Sequence, residues 1–574
     1  MYFLIKIEHY EKKKMQSLII VLLGLAGMTF GWFVYSKFIA TKIYQLDPNF
    51  VTPANEFNDG VDFVPTNKYV LWGHHFTSVA GAAPIVGPAI AVYWGWVPAV
   101  LWVTLGTIFF AGVHDFGALW ASSRHKGKSI GALSEDVIGK RTRALFMVVI
   151  FLVLLMVNAV FGVVIAGAFV NTPNAVFPAW SAIVVALIIG QLIHRNFNLT
   201  ILSVLGVLAL YCSIYVGSVF PIELPQDMMG LSPNANWIII LFIYASIASM
   251  LPVWVLLQPR DFINGMQLFV GLFLLYGAVF LSLPDISAPA FNDMMTEDAP
   301  SLVPLLFVTI ACGAVSGFHG IVSSGTSSKQ LDKETDARFV GYFAALGEGS
   351  LALITIVAVS GAALAASPEI WHEIYDKYGT AGAGTFIQGG AQMITNGWGI
   401  PVSVTTTLLA TMVALFAGTT MDSGVRLQRY IIQEWGEIYG ISLFKKGFAA
   451  TLIAVTCCLL LAFGAGGASG SGGLTIWPLF GSTNQILAGM TLLVLSVMLI
   501  KLGRPARYTL LPMIFVLITS CWAAVIKLME FWEASNWLLV VIDIVVLVTS
   551  LLVILEAVSV ISKFRKEKEL KQEN

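Results

Sequence analysis

Long apolar runs alternate with short polar loops along the chain, and most of the runs are long enough to cross a lipid bilayer. A helix needs about 20 mainly apolar residues to span a hydrocarbon core about 30 Å thick. With that window, the pattern predicts an all-α membrane protein with about 15 transmembrane helices. The predicted spans are 16–36, 68–96, 98–122, 144–170, 178–194, 198–220, 237–257, 262–283, 302–323, 338–366, 402–423, 447–466, 474–501, 508–529 and 536–562.

Two of these segments are interrupted by glycine, proline and polar residues, one within Val70–Pro88 and the other within Ile310–Lys329. Backbone groups freed from a helix cannot face lipid, so such breaks survive only where they line an enclosed cavity. A pair of breaks, one in each half of a chain, indicates a transporter's binding site. We expect half-helices to begin near Ala80–Ala83 and near Ser323–Thr326. Their free amides and positive dipole ends would favour a substrate carboxylate.

Composition agrees with a membrane protein, since 57% of the residues are hydrophobic and only 11% are charged. The net charge of −1 gives no indication of a nucleic-acid partner. The five cysteines all lie in apolar runs without a CxxC pair, which rules out a disulfide framework. We therefore predict no metal and no other cofactor.

Lys and Arg concentrate on the cytoplasmic side of membrane proteins. Loop 123–143 is strongly basic, and counting spans from it places the other basic loops and the tail 563–574 on the same side. These other basic loops include Arg195, Arg260, Lys329, Arg426 and Arg504. The count puts the N-terminus with Lys12–Lys14 outside, an exception that a re-entrant segment 68–82 would remove. A signal peptide at 16–36 is disfavoured by its length and by the lack of a cleavage site.

Each half contains seven spans, counted from its broken helix to its end. Because seven is odd, the second half would begin on the opposite side of the membrane, and the two halves would be inverted. We predict an N-terminal span (1–37), a first half (38–301), a second half (302–562) and a cytoplasmic tail (563–574). Inverted repeats with one broken helix in each half are typical of secondary transporters. No Walker A sequence is present to use ATP.

Long, ordered strings of residues between positions 40 and 500 carry a family resemblance. They are Asp59-Gly60…Asp62-Phe-Val-Pro-Thr66, Gly73-His-His-Phe76, Ala111-Gly-Val-His-Asp-Phe116, Ile310-Ala-Cys-Gly-Ala-Val-Ser-Gly-Phe-His319, Val322-Ser-Ser-Gly-Thr326, Lys333-Glu-Thr-Asp-Ala-Arg338, Thr419-Thr-Met-Asp-Ser423 and Trp477-Pro-Leu-Phe480 with Asn484-Gln485. Together they resemble the carbon-starvation CstA family of peptide and pyruvate transporters. The resemblance implies a multi-pass protein of a bacterial inner membrane that imports pyruvate or peptides during carbon starvation. It also implies an APC/LeuT-like fold, although that fold has five-plus-five rather than seven-plus-seven inverted topology.

Small and polar residues at the two breaks are the candidates for substrate binding. In the first break they are Gly73, His74, His75 and Gly81, and in the second Ser316, Gly317, His319, Ser323, Ser324, Gly325 and Thr326.

Ionisable residues inside spans are site candidates by default. We expect His74, His75, His319 and Glu348 to carry the coupling proton. Asp115 and Asp422, near cytoplasmic span ends, are expected to form gate salt bridges. Adjacent residues such as His74 and His75 point about 100° apart on a helix and cannot share a metal ion. The alternative is structural, with a histidine or Glu348 bonded to a freed backbone group.

The favoured function is proton-coupled import of pyruvate or peptides across the bilayer that surrounds the protein. Sodium coupling is the alternative, because freed carbonyls and Ser or Thr hydroxyls also make cation sites. A membrane sensor would carry a soluble output domain, and a membrane enzyme would carry a motif such as HExxH or GxSxG. Neither feature is present in the sequence, so no enzymatic activity is expected.

Overall fold

The computed structural model describes residues 15–573, except 61, 196, 227, 253–254, 296–298, 466, 468 and 470–471. The Lys12–Lys14 cluster and Asn574 lie outside the described residues. Within the described ranges the secondary structure is helical, and strand pairing is limited to isolated bridges. The predicted all-α, polytopic fold class is therefore confirmed.

The helices follow one another with short connections. In the first part of the chain they are α1 Gln16–Tyr44, α2 Lys68–Ala80, α3 Ala83–Trp94, α4 Trp96–Arg124, α5 Lys140–Asn171, α6 Pro173–Ile193, α7 Ile201–Val219, α8 Pro233–Met250 and α9 Pro259–Ser282. In the second part they are α10 Leu302–Thr309, α11 Gly317–Gly325, α12 Glu334–Ser360, α13 Pro368–Ile374, α14 Ala383–Trp398, α15 Val402–Ile438, α16 Gly447–Gly464, α17 Thr475–Lys501, α18 Arg507–Glu533 and α19 Trp537–Phe564. Shorter helices, Pro53–Glu56, Ile130–Val137 and Ser442–Lys445, lie in the loops.

Thirteen helices of the described chain are long and apolar enough to cross a membrane, and the α2–α3 pair raises the number of spans to 14. Each of them overlaps one predicted span. The remaining predicted span, 302–323, consists instead of two short helices, α10 and α11, separated by non-helical residues 310–316. Helix length and composition therefore do not confirm the predicted total of about 15.

The most buried helices form the centre of the bundle. In the apolar windows of α17 and α12, 94% and 83% of the residues are buried, against 33% for α1. Because lipid is as apolar as leucine, exposed Leu and Ile side chains on α1 face the bilayer without cost. The outer helices thus surround a core in which polar groups are shielded from both lipid and water.

Basic loops that the charge pattern groups together do meet at one end of the bundle. Arg124 forms a bidentate ion pair with Glu334. Lys501 Nζ donates to the Val137 carbonyl at 2.6 Å. We name this end, which carries Arg124, Glu334 and Lys501, the basic side.

The path of the bent α2–α3 pair follows from its end contacts. The amide of Asp47, in the loop before α2, donates to Glu334 on the basic side at 2.6 Å. At the far end of α3, Trp94 Nε1 donates to the carbonyl of Pro300, in the loop after α9, at 2.9 Å. That loop lies at the opposite end of the bundle, so α2–α3 crosses from one side to the other. These contacts favour a single crossing over the re-entrant alternative for 68–82.

Both breaks lie where expected, but only one half-helix begins where the sequence suggested. α2 and α3 meet at a 46° bend, with Gly81 at φ +46°, a conformation that suits glycine. α11 begins at Gly317 and ends at Gly325. The prediction of a half-helix starting near Ser323–Thr326 is therefore wrong, because the chain unwinds earlier, around Gly313 at φ +92°.

Residues 367–401, between the predicted spans 338–366 and 402–423, pack against the bundle instead of extending away from it. Trp371 is fully buried, and the Tyr375 hydroxyl donates to the Ala89 carbonyl of α3 at 2.8 Å. Trp398 Nε1 donates to the Leu274 carbonyl of α9 at 2.8 Å. The segment therefore packs over the helices that carry the first break.

A topology test follows from the sides on which the two end helices finish. α1 ends next to the basic side, and α19 carries Glu556, whose carboxylate lies 3.1 Å from Arg141 on that side. A reporter enzyme fused after Asn574 should therefore be active in the cytoplasm, and one fused at the N-terminus in the periplasm. Activity of both fusions in the same compartment would contradict the described crossing of α1 or α19.

Candidate functional site

The backbone groups freed at the second break are bonded by neighbouring side chains. Thr107 Oγ1 of α4 donates to the Gly313 carbonyl at 2.8 Å. Asn484 Oδ1 of α17 accepts the Phe318 amide at 2.9 Å, in the first turn of α11. Since that amide already has a partner, the start of α11 offers less to a substrate carboxylate than the sequence suggested.

At the first break the backbone is more open. Ala82 does not donate its amide to another backbone group, and both Ala82 and Ala83 are buried at the start of α3. The Thr420 hydroxyl of α15 is buried and without a hydrogen-bond partner. It faces the break, because a Cβ on Gly81 would lie 2.8 Å from it. These groups together form a small polar surface with free donors.

The two breaks are neighbours in space. A Cβ built on Gly313 would lie 3.6 Å from Pro84 Cβ of α3 and 2.8 Å from Ala352 Cβ of α12. His75 Nδ1 of α2 lies 2.7 Å from Ser327 Oγ, just after α11. The paired interruptions therefore build one region in the middle of the bundle.

A chain of buried titratable groups runs through this region. His319 Nδ1 of α11 lies 2.8 Å from Asp115 Oδ2 of α4. Its other nitrogen, Nε2, lies 3.1 Å from Glu348 Oε2 of α12. His114 Nδ1 binds the second oxygen of Asp115 at 2.7 Å. All four side chains are 1% exposed or less, and they connect three helices.

The number of protons in this chain can change by one at little structural cost. A neutral imidazole has a single N–H, so it cannot donate to Asp115 and Glu348 at once. With an imidazolium between two carboxylates, the Asp115–His319–Glu348 group has a net charge of −1. One further proton, on Glu348, makes the whole group neutral. A buried, low-dielectric position favours this neutral state. Nε2 and Oε2 lie 3.1 Å apart but are not aligned as a hydrogen bond, so proton transfer requires a small rotation of the imidazole or the carboxyl group.

Cys312 adds a third type of ligand atom beside this chain. The ligand atoms of Cys312, His319 and Glu348 all lie within 4.8 Å of one another. A sulfur, nitrogen and oxygen donor set suits a zinc-like ion, and Asp115 would orient the histidine from behind. An ion there would take the place of the proton shared by His319 and Glu348, so the two occupants exclude each other. The absence of a metal stays a prediction.

His74 and His75 point to different neighbours, as adjacent helical residues must. His75 is fully buried beside Ser327, whereas His74 Nδ1 lies 3.4 Å from the Asp261 carboxylate. Neither histidine joins the His319 chain directly.

Asp422 lies in a second buried cluster, between α8, α9 and α15. It forms an ion pair with Arg260 Nη1 and accepts a hydrogen bond from the Tyr244 hydroxyl at 2.8 Å. Arg260, expected in a basic loop, is instead only 2% exposed. Asp115, expected at a gate, is paired with His319 rather than with a basic side chain of a loop.

Several predicted binding residues have structural partners instead. Ser324 Oγ donates to the Gly320 carbonyl at 2.6 Å and accepts the Ile130 amide at 2.8 Å. Ser316 Oγ accepts a hydrogen bond from Asn484 at 3.0 Å.

Other predicted binding residues lie in open surroundings. A Cβ on Gly325 or on Gly73 would meet nothing within 4 Å. Ser323 keeps a buried hydroxyl without a partner.

Sequence reasoning missed Asp261, Thr420, Cys312 and His114 as members of the site. Arg260-Asp261 could have been noticed as a charge pair at the start of an apolar run. Thr420 and Cys312 carry no charge within apolar runs, so only their positions in space reveal them.

Comparison with solved structures gives distant likenesses. A mutant manganese transporter from Eremococcus coleocola matches with a TM-score of 0.48 and 12% identity, over 88% of this chain and 99% of that one. MhsT in complex with L-phenylalanine matches with a TM-score of 0.46 and 13% identity, over 86% and 99%. At these scores the likenesses carry no weight for the fold or the function of this chain.

Relatives in sequence are much clearer. A peptide transporter CstA of Campylobacter jejuni is 32% identical over 91% of this chain and 82% of its own length. A pyruvate/proton symporter, BtsT, of Escherichia coli is 32% identical over 89% and 82%. A peptide transporter CstA of Bacillus subtilis is 30% identical over 97% and 99%. The family described as carbon starvation protein CstA matches residues 16–367 and 363–523. The chain therefore belongs to the carbon starvation CstA family.

Proposed function

We propose that the chain is a secondary active transporter that imports a small carboxylate, either pyruvate or a peptide, together with protons. It would act in the inner membrane of a carbon-starved bacterium, with its C-terminus in the cytoplasm. The observation that carries this proposal is the buried Asp115–His319–Glu348 chain beside two helix breaks. The names of the relatives, a pyruvate/proton symporter and peptide transporters, support it.

In this proposal protonation is linked to movement, because the Asp115–His319–Glu348 contacts join the two proposed halves. Asp115 belongs to residues 38–301, whereas His319 and Glu348 belong to 302–562. Adding a proton to Glu348 changes the net charge of that contact from −1 to zero. Since buried charges interact strongly at low dielectric, the protonation state biases how the halves pack. Rocking of one half against the other would then carry substrate and proton across together.

The substrate carboxylate is proposed to bind at the first break. There the Ala82 and Ala83 amides begin α3, whose positive dipole end favours an anion. The Thr420 hydroxyl supplies an additional donor, from the other half of the chain. On the basic side, the Arg260–Asp422 ion pair also joins the halves and is proposed as a gate.

Glu348→Gln tests the coupling, because glutamine keeps the side-chain shape but cannot carry the proton. A gradient of one pH unit supports about tenfold accumulation for each coupled proton. In proteoliposomes, the native chain should accumulate labelled pyruvate or trialanine to about that extent. The variant should only equalise the concentrations, while exchange of substrate across the membrane continues.

Cys312→Ala is the matched control for the same experiment. Proton coupling predicts that it accumulates substrate like the native chain, with or without a chelator. If Cys312→Ala and chelation both abolish accumulation, the cluster binds a metal ion and the proton proposal is wrong. Full accumulation by Glu348→Gln would also contradict it.

Thr420→Val tests the carboxylate site by removing one hydroxyl without changing the side-chain volume much. A hydrogen bond to a charged group contributes about 1.5–3 kcal/mol, so binding should weaken roughly tenfold or more. Equilibrium binding of pyruvate and trialanine to purified protein measures the effect. Thr411→Val is the control, since its hydroxyl is equally buried and unpartnered on the same helix. Equal affinities of the two variants would place the carboxylate elsewhere.

A further inference from the structure

α9 lies between α15 and α2 and presents a different face to each. Towards α15, Arg260 meets Asp422 and Asn264 Nδ2 donates to Thr419 Oγ1 at 2.8 Å. Asp261 is the next residue after Arg260, so it is turned by about 100° around the helix. It therefore faces α2, where His74 Nδ1 lies 3.4 Å from one of its oxygens.

Asp261 has no hydrogen-bond partner on either carboxylate oxygen, although it is only 1% exposed. Two basic side chains approach it, with His74 Nδ1 at 3.4 Å and Arg260 Nη2 at 3.8 Å. Both distances exceed those of an ordinary hydrogen bond. Nη1 of Arg260 binds Asp422 and donates to the Tyr244 hydroxyl at 2.7 Å, whereas its Nη2 has no hydrogen-bond partner and stays too far from Asp261 to bond it.

The cluster also has one positive charge fewer than it has negative charges. Arg260 contributes +1, and Asp261 and Asp422 contribute −1 each, so the net charge is −1 when His74 is neutral. An uncompensated buried carboxylate is strongly destabilising, so the arrangement is incomplete without a cation that donates hydrogen bonds. His74 is 17% exposed in its side chain, and it is the accessible neighbour past which such a cation would arrive.

We propose that Asp261 binds the ammonium group of a peptide substrate, at the end opposite its carboxylate. An ammonium group has three N–H donors and one positive charge, and it supplies both things that Asp261 lacks. Pyruvate supplies neither. The inference rests on the proposed function and selects the peptide from the two substrates named there.

The geometry also indicates a length for this peptide. His74, beside Asp261, and Gly81, at the carboxylate end, are seven residues apart on α2, which is about 10 Å at about 1.5 Å per residue. An extended chain covers about 3.3–3.6 Å per residue. The separation corresponds to about three residues. Gly265 of α9 packs on Thr77 between the two ends, so α9 has to move away from α2 for a tripeptide to reach both.

The test compares trialanine with N-acetyl-trialanine, which keeps the carboxylate but has lost the ammonium group. Equilibrium binding is measured on the purified full chain in sodium-free buffer and again with sodium added. For the native chain, acetylation should weaken binding about tenfold or more. In Asp261→Asn the two peptides should bind equally, because the amide no longer distinguishes them by charge.

Asp543→Asn is the matched control, since Asp543 is a fully buried carboxylate whose two oxygens also lack partners. It should keep the full acetylation penalty. A monodisperse peak of each variant in size-exclusion chromatography shows that the protein is folded. If Asp261→Asn does not fold, Asp261→Glu replaces it and should alter the acetylation penalty while retaining some of it.

Three results would overturn the inference. They are equal binding of both peptides by the native chain, an unchanged acetylation penalty in Asp261→Asn, and a requirement for sodium that Asp261→Asn abolishes. Accumulation of pyruvate driven by a pH gradient, with no binding of trialanine, would refute the ammonium site and leave the proposed transport standing. If neither substrate binds or accumulates, both the proposed function and this inference fail.

Discussion

Every backbone group freed inside the membrane needs a partner, and this constraint determines the centre of the molecule. The second break is possible because Thr107 and Asn484, from α4 and α17, bond its exposed carbonyl and amide. These bonds hold α11 against the two helices and so fix the position of His319. The first break has fewer such partners, which is why the substrate carboxylate is proposed to bind there.

Buried polar contacts join the two proposed halves at several levels. Near the centre, His319 binds Asp115, and closer to the basic side Arg260 binds Asp422. Each contact is costly to separate, because a lone charge would remain in a low-dielectric interior. In the proposed cycle, a proton on Glu348 or a substrate charge at Asp261 offsets that cost. The proposal thus links binding and movement through the same few side chains.

The sequence predicted the helices well because a transmembrane helix is a local property, readable from a window of about 20 residues. It also predicted both breaks from Gly, Pro and polar residues, and it selected His319 and Glu348, whose side chains lie 3.1 Å apart. It was wrong about the start of α11. Several small residues follow one another between Gly313 and Gly325, and the pattern alone does not show which of them leave the helix.

The sequence by itself determined that the chain is an all-α membrane protein with two interrupted helices, and its motifs identified the family. Tertiary structure alone decided which polar groups meet. Asp115 and His319 are 204 positions apart, and His74 meets Asp261 through the packing of α2 on α9. The physical reason is that hydropathy and helix breaks act over neighbouring residues, whereas the pairing of buried charges depends on how distant helices pack together.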